Sequence, residues 1–400
     1  MKLNKSILAA VLSLGAVSLA SAVTTNTVYM TGSTAFRSSV YSAIIAPGVV
    51  FTAAPQFTVF QGGSTGSNAG NGGNYMAFVG TQQGTGTPLI LQCHWSGSEA
   101  GVLDVASNSV VTESFMDPSL IDGNDHGTNL PSSTVSHNVD LAMADAKQAY
   151  SRTTKPTVST NAFVGIVTFT WVRNPGWWTG SNVTDSQIRQ SLSGYAPLAV
   201  FTGNAADTGS YVYVTGRDYS SGTRVNAFGD TGFGVLGSCY QIEMTSAGVM
   251  TANVPYQGGP AVYYGDFGFS SGGTEAASLG AVTTNAVDQV YGGAGFSVIG
   301  YLGRSDANTA TNDGATELTY DGVPFSTNNI IEGTYPFWGN EYILAANADA
   351  GSTVVQTIFL NLKNTSTGIN HFLDDSSGKG IKIGSMHTTR QGPVTDPVHN

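Results

Sequence analysis

Charge is scarce in this 400-residue chain, and positive charge is scarcer than negative. Charged residues make up 10% of the sequence, with 26 acidic residues against 15 basic ones. A nucleic-acid partner needs clustered Lys and Arg, so this composition argues against one. A small anion stays open as a ligand, because a local ring of backbone amides can outweigh a distant negative field.

Cysteine, regularly spaced histidine and long apolar runs are also rare. The two cysteines, Cys93 and Cys239, can form a disulfide in an oxidising compartment or remain as buried thiols. The six histidines lack the spacing of a zinc site, and the oxygen-rich loops at 122–125 and 306–314 lack the spacing of a calcium loop. No apolar run beyond residue 22 approaches the ~20 residues of a membrane helix. We therefore expect no metal and no cofactor.

The N-terminal residues 1–22 predict a secretory signal peptide. Lys2 and Lys5 precede an apolar run at 7–19, and small residues at 20–22 provide a cleavage site. Without this segment the chain keeps 13 basic and 26 acidic residues, a net charge of about −13. We expect a mature protein that begins at Val23 and is periplasmic or secreted.

Alternating strand and helix patterns predict an α/β fold. Helices are predicted at 36–45, from 184 and from 224, and strands at 27–30, 88–93, 139–144, 163–169, 210–214 and within a β-rich stretch at 49–60. About 378 mature residues exceed what a single core usually supports. We expect a two-lobed protein with open mixed sheets, flanking helices and a hinge.

The most informative segment runs from Arg217 to Arg224 and reads Arg-Asp-Tyr-Ser-Ser-Gly-Thr-Arg. It follows a predicted strand and leads into a predicted helix, whose first N–H groups are unpaired and carry partial positive charge. Glycine lets the backbone approach a ligand closely, and the planar arginine fork matches a tetrahedral oxyanion. The segment predicts an anion-binding turn; the alternative is an ordinary capped helix beside a surface arginine.

Two other turns repeat this chemistry at the ends of predicted strands. Residues 32–36 read Gly-Ser-Thr-Ala-Phe and residues 97–98 read Gly-Ser, each offering hydroxyls and free amides. In α/β sheets, ligands bind beyond the carboxyl ends of strands, so the turns can share one site. Asp145 also ends a strand, and its carboxylate can accept a hydrogen that phosphate carries and sulfate lacks.

This order of motifs resembles the periplasmic phosphate-binding proteins of phosphate ABC transporters, the PstS-like branch of the type 2 periplasmic binding fold. The turn at 32–36 is followed by the Ser-containing turn, by Val-Asp-(x)4-Asp ending at Asp145, and by Arg-(x)3-Ser-Gly-Thr. Further segments look like the family's Ala-Ile-Gly-Tyr, Asp-Gly-Val and Tyr-Pro landmarks, at 295–302, 321–323 and 333–337.

The resemblance implies that a monomer captures inorganic phosphate, or a related oxyanion, between its lobes and delivers it to an ABC permease in the inner membrane. Lobe one would combine 23–160 with 333–400, lobe two would span 161–332, and the Gly/Ser/Asn-rich stretch at 61–74 would be an insertion in lobe one. The ligand-binding residues that the resemblance implies are Ser33, Thr34, Ala35, Phe36, Ser98, Asp145, Arg217, Ser221, Gly222 and Thr223.

Three positions depart from the family pattern. An extra residue in the first turn leaves open whether Ser33 or Thr34 faces the ligand. Glu99 stands where the family prefers a small residue, and it would bring negative charge toward the anion. Tyr219 occupies a position where family members that exclude sulfate often carry a second acid.

Two other classes of function remain as alternatives. Gly-Gly-Ser-Thr-Gly at 62–66 matches a serine-hydrolase pattern, but the residues after it do not favour the helix that such an elbow needs. We therefore expect no enzyme, with a secreted hydrolase or phosphatase as the weaker alternative. An extracellular structural or adhesive protein that retains a degenerate binding-protein fold is the other alternative.

Overall fold

The computed structural model describes residues 25–61, 73–107, 112–151, 156–244, 250–251, 268–283, 295–378, 380–390 and 398–399. The predicted signal peptide, the 62–66 motif and nearly all of the 61–74 insertion lie outside these ranges. Within the ranges, no helix combines the length and the apolar character needed to cross a membrane.

The strands of the described residues are numbered in chain order. They are β1 (Asn26–Gly32), β2 (Gln56–Phe60), β3 (Tyr75–Thr81), β4 (Pro88–His94), β5 (Glu113–Met116), β6 (Thr134–His137), β7 (Leu141–Ala144), β8 (Thr160–Arg173), β9 (Asn182–Val183), β10 (Ala196–Pro197), β11 (Ser210–Val214), β12 (Glu243–Met244), β13 (Met250–Thr251), β14 (Gly295–Gly303), β15 (Thr316–Glu317), β16 (Thr319–Tyr320), β17 (Trp338–Ala345), β18 (Gly380–Ile381), β19 (Thr388–Thr389) and β20 (Val398–His399).

The α-helices of the same residues follow the strands closely in sequence. They are α1 (Arg37–Ile45), α2 (Ser98–Ala106), α3 (Asp185–Leu192), α4 (Ala199–Thr202), α5 (Gly222–Asp230), α6 (Gly272–Leu279), α7 (Arg304–Asn312), α8 (Thr327–Ile331) and α9 (Thr353–Lys363).

Twelve of these strands form one mixed sheet. Its main order is β10-β11-β14-β8-β17-β7-β1-β4-β3-β2, and β15 and β18 also pair with β8. β1 runs parallel to β4 and β7, and β11 runs parallel to β14, whereas β17 is antiparallel to both of its neighbours. α2 packs against β7 and β1, and α6 and α7 pack against β14. The predicted mixed α/β architecture with flanking helices is confirmed.

β8 connects two parts of this sheet. Its residues 160–168 pair with β17, and its residues 169–173 pair with β14. We call β17, β7, β1, β4, β3 and β2 the large part, and β14, β11 and β10 the small part. The chain therefore passes from one part to the other within a single strand. The lobe boundaries at 160/161 and 332/333 remain predictions.

The crossing within β8 is held by aromatic packing. Trp171 is fully buried, and its ring centroid lies 5.3 Å from that of Phe337 and 5.7 Å from that of Tyr301. Packed aromatic pairs contribute beyond the area that they bury. This cluster joins residues from both parts of the sheet into one apolar core.

The carboxyl ends of three strands meet at one edge of the large part. Parallel pairing sets Gly32 of β1 beside Met143 of β7, and Thr31 of β1 beside His94 of β4. Turns that follow these strands therefore start close together, as in other parallel α/β sheets. The predicted site residues after β1, β4 and β7 belong to these turns.

Several predicted elements differ in their bounds: the strand predicted at 163–169 extends over Thr160–Arg173, and two other elements differ because of a turn or a cap. Only Gln56–Phe60 of the β-rich stretch at 49–60 is a strand, because a turn precedes it in which the amide of Gly48 donates to the carbonyl of Phe51 at 2.7 Å. The helix predicted from Arg224 begins earlier, at Gly222, because the hydroxyl of Ser221 accepts a hydrogen bond from the amide of Arg224 and caps it.

Candidate anion-binding site

The turn after β1 forms one side of the site. The amide of Ser33 donates to the carbonyl of Met143 at 2.9 Å, which ties the turn to the end of β7. The chain then enters α1, with Phe36 immediately before the first helical residue. The ring of Phe36 belongs to the apolar core, so its backbone amide alone is available to a ligand. Thr34 is buried and lies in this turn, between β1 and α1.

The start of α2 is where the large part contacts the loop after β11. Gly97 has a φ of +109°, which L side chains rarely adopt, and a side chain there would overlap the carbonyl oxygen of Ser220. The amide of Glu99 donates to that same carbonyl at 2.9 Å. Ser98, the first residue of α2, is buried, and its hydroxyl oxygen accepts from the amide of Asp145 at 3.2 Å.

Arg217 reaches from the small part to the turn after β1. Its Nε donates to the carbonyl of Phe269 at 3.0 Å, and its Nη2 donates to the carbonyl of Ser270 at 2.8 Å. Its Nη1 donates to the hydroxyl of Thr34 at 3.3 Å. A guanidinium has five N–H groups, and these three hydrogen bonds to described residues use three of them. Two N–H groups remain for a ligand. Thr34, rather than Ser33, is therefore the hydroxyl that faces Arg217.

Asp145 lies against the start of α5. A side chain on Gly222 would overlap Oδ1 of Asp145 and would come within 2.7 Å of the Cβ of Ser98. Asp145 is 2% exposed, and its Oδ1 has no hydrogen-bond partner among the described residues. Burial raises the pKa of Asp145 to about 6, while the Ser98 hydroxyl and the Arg217 charge lower it in part.

Four buried or half-buried amides complete the site. The N–H groups of Ala35, Phe36, Gly222 and Thr223 donate no hydrogen bond to another described residue. Ala35 and Phe36 precede α1, and Gly222 and Thr223 form the first turn of α5. Unpaired amides at two helix starts, each with partial positive charge, form a favourable environment for an anion.

The chemistry of this set fits a tetrahedral anion that carries a hydrogen. Arg217, the hydroxyls and the amides donate hydrogen bonds, and the carboxylate of Asp145 can only accept one when it is ionised. An oxyanion without a hydrogen would satisfy the donors and meet repulsion at Asp145. An anion with a hydrogen satisfies both.

The predicted residues fall into three groups in the structure. Thr34, Ser98, Asp145, Arg217 and Gly222 are connected by the contacts described above. Ser221 caps α5. Thr223 and Ala35 offer their backbone N–H groups to the site. Ser33 is buried below the turn, and its hydroxyl has no hydrogen-bond partner among the described residues. Whether these groups bind a ligand together remains a prediction.

Three residues around the site are not indicated by the sequence motifs. Asn226 is buried, and its side-chain amide donates to the carbonyl of Asp145 at 2.9 Å. The hydroxyl of Tyr301 accepts from the amide of Arg217 at 3.0 Å. Glu341 is fully buried beside Asp145. A single acidic residue inside the apolar strand Trp338–Ala345 was the available signal for Glu341.

Other features singled out in the sequence have structural roles. Cys93 and Cys239 are separate, buried thiols, so the disulfide alternative is not adopted. His94 stacks on Tyr75 and contacts Glu113 at 3.1 Å. In the part of the chain that the structure describes, no three His, Cys, Asp or Glu side chains are grouped to hold a metal ion.

Comparison with known proteins gives structural likenesses only. No family model and no curated protein sequence matches the chain. A candidate phosphate ABC transporter substrate-binding protein with bound phosphate, from Clostridium perfringens, is 12% identical with a TM-score of 0.49, and the match covers 90% of this chain and 100% of that chain. PstS from Borrelia burgdorferi is 12% identical with a TM-score of 0.38, covering 89% and 98% of the two chains. An ABC-type phosphate transport receptor from Vibrio cholerae is 13% identical with a TM-score of 0.36, covering 70% and 86%.

All three TM-scores lie below 0.5. The inference about function therefore depends on the residues of the site.

Proposed function

We propose that this protein is an exported solute-binding protein that captures inorganic phosphate between two lobes and delivers it to an ABC permease. One arrangement carries the proposal: the buried carboxyl group of Asp145 lies against the first turn of α5 and feels the charge of Arg217, whose guanidinium contacts Thr34 across the two parts of the sheet. Donors from both parts of the sheet would bind one ligand, which would favour the closed arrangement. Closure is the state that a permease would recognise. The same donors would accept a related oxyanion if its shape and protonation match.

Asp145 would make the proposed site select phosphate over sulfate. Phosphate near neutral pH retains at least one hydrogen, which it can donate to the carboxylate. Sulfate has none, and its oxygens would face Asp145 at close range. Sites built around a ligand hydrogen reject analogues that lack it by as much as ~10⁴–10⁵, because buried polar groups are left unpaired.

Thermal unfolding with a panel of oxyanions tests the proposed function. Phosphate at about 100 times its dissociation constant is expected to stabilise the protein by ~2.7 kcal/mol. Arsenate, which has the same shape and also carries hydrogens, is expected to stabilise it too. Sulfate and molybdate at the same concentrations are expected to leave the melting temperature unchanged. Equal shifts with all four anions, or no shift with any, would contradict a selective phosphate site, and turnover of a chromogenic phosphoester would favour the hydrolase alternative.

Gly222→Ala is expected to block closure around the ligand. The added methyl group would overlap the Asp145 carboxylate and crowd Ser98 across the site. Phosphate affinity should fall at least roughly tenfold, since closing the site then requires the displacement of a packed carboxylate. Calorimetric titration measures the affinity, and small-angle scattering with saturating phosphate measures whether the molecule still contracts.

Gly273→Ala is the matched control for this variant. Gly273 also lies in the first turn of a helix, α6, and among the described residues the atom nearest to its added methyl group is the Ser271 hydroxyl oxygen at 4.0 Å. Its phosphate affinity should equal that of the unaltered protein. If both variants bind phosphate with equal affinity, Gly222 does not line the closed site.

A further inference from the structure

Glu341 lies directly beneath the proposed site, next to Asp145. In the pairing of β17 with β7, Tyr342 stands opposite Ala144, so the preceding residue of β17 and the following residue of the β7 turn are neighbours. On its other side Glu341 pairs with Gly165 of β8, which has no side chain to cover it. Glu341 is fully buried, and the charge of Asp145 acts on its carboxyl group.

The buried polar atoms at this point are mostly acceptors. Both carboxyl oxygens of Glu341, Oδ1 of Asp145 and Oδ1 of Asn226 have no hydrogen-bond partner among the described residues. The buried hydroxyl of Ser33 is the one donor among these groups, and it acts on the carboxyl group of Glu341. Unpaired buried acceptors are costly, and an ionised carboxylate without a partner is the costliest of them. A hydrogen on one carboxyl group would relieve this imbalance.

We propose that Glu341 is protonated in the native protein and donates its carboxyl hydrogen to the carboxylate of Asp145. Glu341 is thereby a positioning residue: it holds Asp145 ionised and oriented, so that Asp145 accepts the hydrogen of bound phosphate. This inference rests on the proposed function of the site. The arrangement is a buried carboxylic acid kept neutral so that it can serve as a hydrogen-bond donor.

The charges around the pair favour this division of roles. Arg217 and the Ser98 hydroxyl act on Asp145 and lower its pKa, whereas the Ser33 hydroxyl lowers that of Glu341. Burial raises the pKa of Glu341 well above its ordinary value, and the charge of Asp145 raises it further.

The other charged groups nearby are Lys147 and Arg390, which line the small cavity beside Asp145 and Asn226. Arg390 pairs with Asp230, because its Nη2 donates to Oδ1 of Asp230 at 2.6 Å. The charge of Arg217 acts on Asp145 and favours its ionised form, so the inference assigns the shared proton to Glu341.

Two substitutions separate this role from simple packing. E341Q keeps a hydrogen-bond donor of similar shape, and E341L removes the donor while it fills the space. We expect E341L to lower the ratio of phosphate to sulfate affinity at least roughly tenfold, the lower value for one hydrogen bond to a charged group, and E341Q to retain most of that ratio. The pH at which the ratio declines should move upward in E341L, because Asp145 loses its donor and takes up a proton itself. Titration calorimetry from pH 5 to pH 8 measures both quantities.

Glu332→Gln is the matched control, since Glu332 is half exposed and pairs with His387 at the surface. It should change neither the ratio nor its pH dependence. If E341Q instead tightens phosphate and sulfate binding equally, Glu341 is ionised and the inference is wrong. If both Glu341 variants lose stability while the ratio and its pH dependence stay unchanged, the residue is only part of the packing, and the inference is wrong in that case too.

A measurement without ligand separates this inference from the proposed function. In the infrared difference spectrum between the ligand-free protein and E341Q at pH 7, the carbonyl band of one protonated carboxylic acid should be present, because other buried acids such as Glu275 contribute equally to both spectra. Its absence contradicts the inference even when phosphate binds well. A protein that shows the band and binds no phosphate would contradict the proposed function alone.

Discussion

Replacement of Arg217 by alanine is expected to produce the largest loss of phosphate affinity of any single substitution at the site. Hydrogen bonds to charged groups contribute ~1.5–3 kcal/mol each, so the affinity should fall roughly 10- to 150-fold. The neutral hydroxyls of Thr34 and Ser98 contribute less, at ~1 kcal/mol. Titration calorimetry of the variant with phosphate measures the loss.

Arg217→Ala should also destabilise the ligand-free protein. Its charge compensates the buried carboxyl groups of Asp145 and Glu275, and its Nε and Nη2 satisfy two backbone carbonyls. Removing one partner from such a buried arrangement typically costs ~3–5 kcal/mol. Arg217→Lys keeps the charge and loses the planar fork. Its phosphate affinity should therefore lie between those of the unaltered protein and Arg217→Ala.

Arg189→Ala provides the control for charge alone. Arg189 lies on α3, where its guanidinium is 41% exposed and stands 4.0 Å from Asp185. Surface pairs of this kind contribute little, so phosphate affinity should be unaffected. If the Arg217 variants bind phosphate as well as the unaltered protein does, the assigned role of Arg217 is refuted.

Asp145→Asn is expected to admit sulfate to the site. The amide removes the negative charge that faces the anion and can donate a hydrogen bond to a sulfate oxygen. The preference for phosphate over sulfate should therefore fall by several powers of ten. The upper limit of this loss is the ~10⁴–10⁵ that a site built around a ligand hydrogen can provide. Competition of sulfate against phosphate, measured by titration at pH 7.5, gives the ratio directly. Continued exclusion of sulfate by the variant would mean that another group reads the ligand hydrogen.

The same variant should change the pH dependence of stability. The pKa of Asp145 is raised in the native protein to about 6 from an ordinary value of 3.8, so the native state binds its proton more tightly than the unfolded state does. Stability from this group is therefore present at low pH and declines as the pH rises through about 4 to 6. Above that range the ionised group costs on the order of 3 kcal/mol in the ligand-free protein.

Asp145→Asn removes this cost. Without ligand it should be more stable than the unaltered protein at pH 7.5, and the gain should shrink toward pH 4. Urea unfolding at the two pH values measures the difference. A constant difference across this range would assign the pH dependence to other buried acids, such as Asp230, whose pKa burial also raises to about 6.

The strands β1, β4, β7, β8 and β11 and the helices α1, α3 and α5 could be predicted from local sequence. Ser210–Val214 and Pro88–Cys93 are short runs rich in apolar residues between turn residues, and both are strands. Thr184 with Gln187 forms the predicted cap of α3, here with both reciprocal hydrogen bonds of a capping box. Failures occurred where a turn or cap shifted a boundary, as at Gly48 and Ser221, since these boundaries depend on single hydrogen bonds.

The donors of the site could be predicted, whereas its supporting residues could not. Glycine, hydroxyl and arginine side chains at strand ends identify themselves by type and spacing. Glu341 lies far from these motifs in sequence, and Asn226 follows the Arg217–Arg224 segment; they reach Asp145 only through the pairing of β17 with β7 and the packing of α5. No local spacing encodes that proximity.

The sequence by itself determined the alternation of strands and helices, the hydroxyl- and glycine-rich composition of three turns, and the position of Arg217 before the third of them. Tertiary structure decided that Thr34 rather than Ser33 contacts that arginine, and that Asp145 stands against the first turn of α5 above a second buried acid. The reason is physical: helix starts and turns follow from neighbours in the chain, whereas a shared anion site depends on which strand ends the sheet brings together.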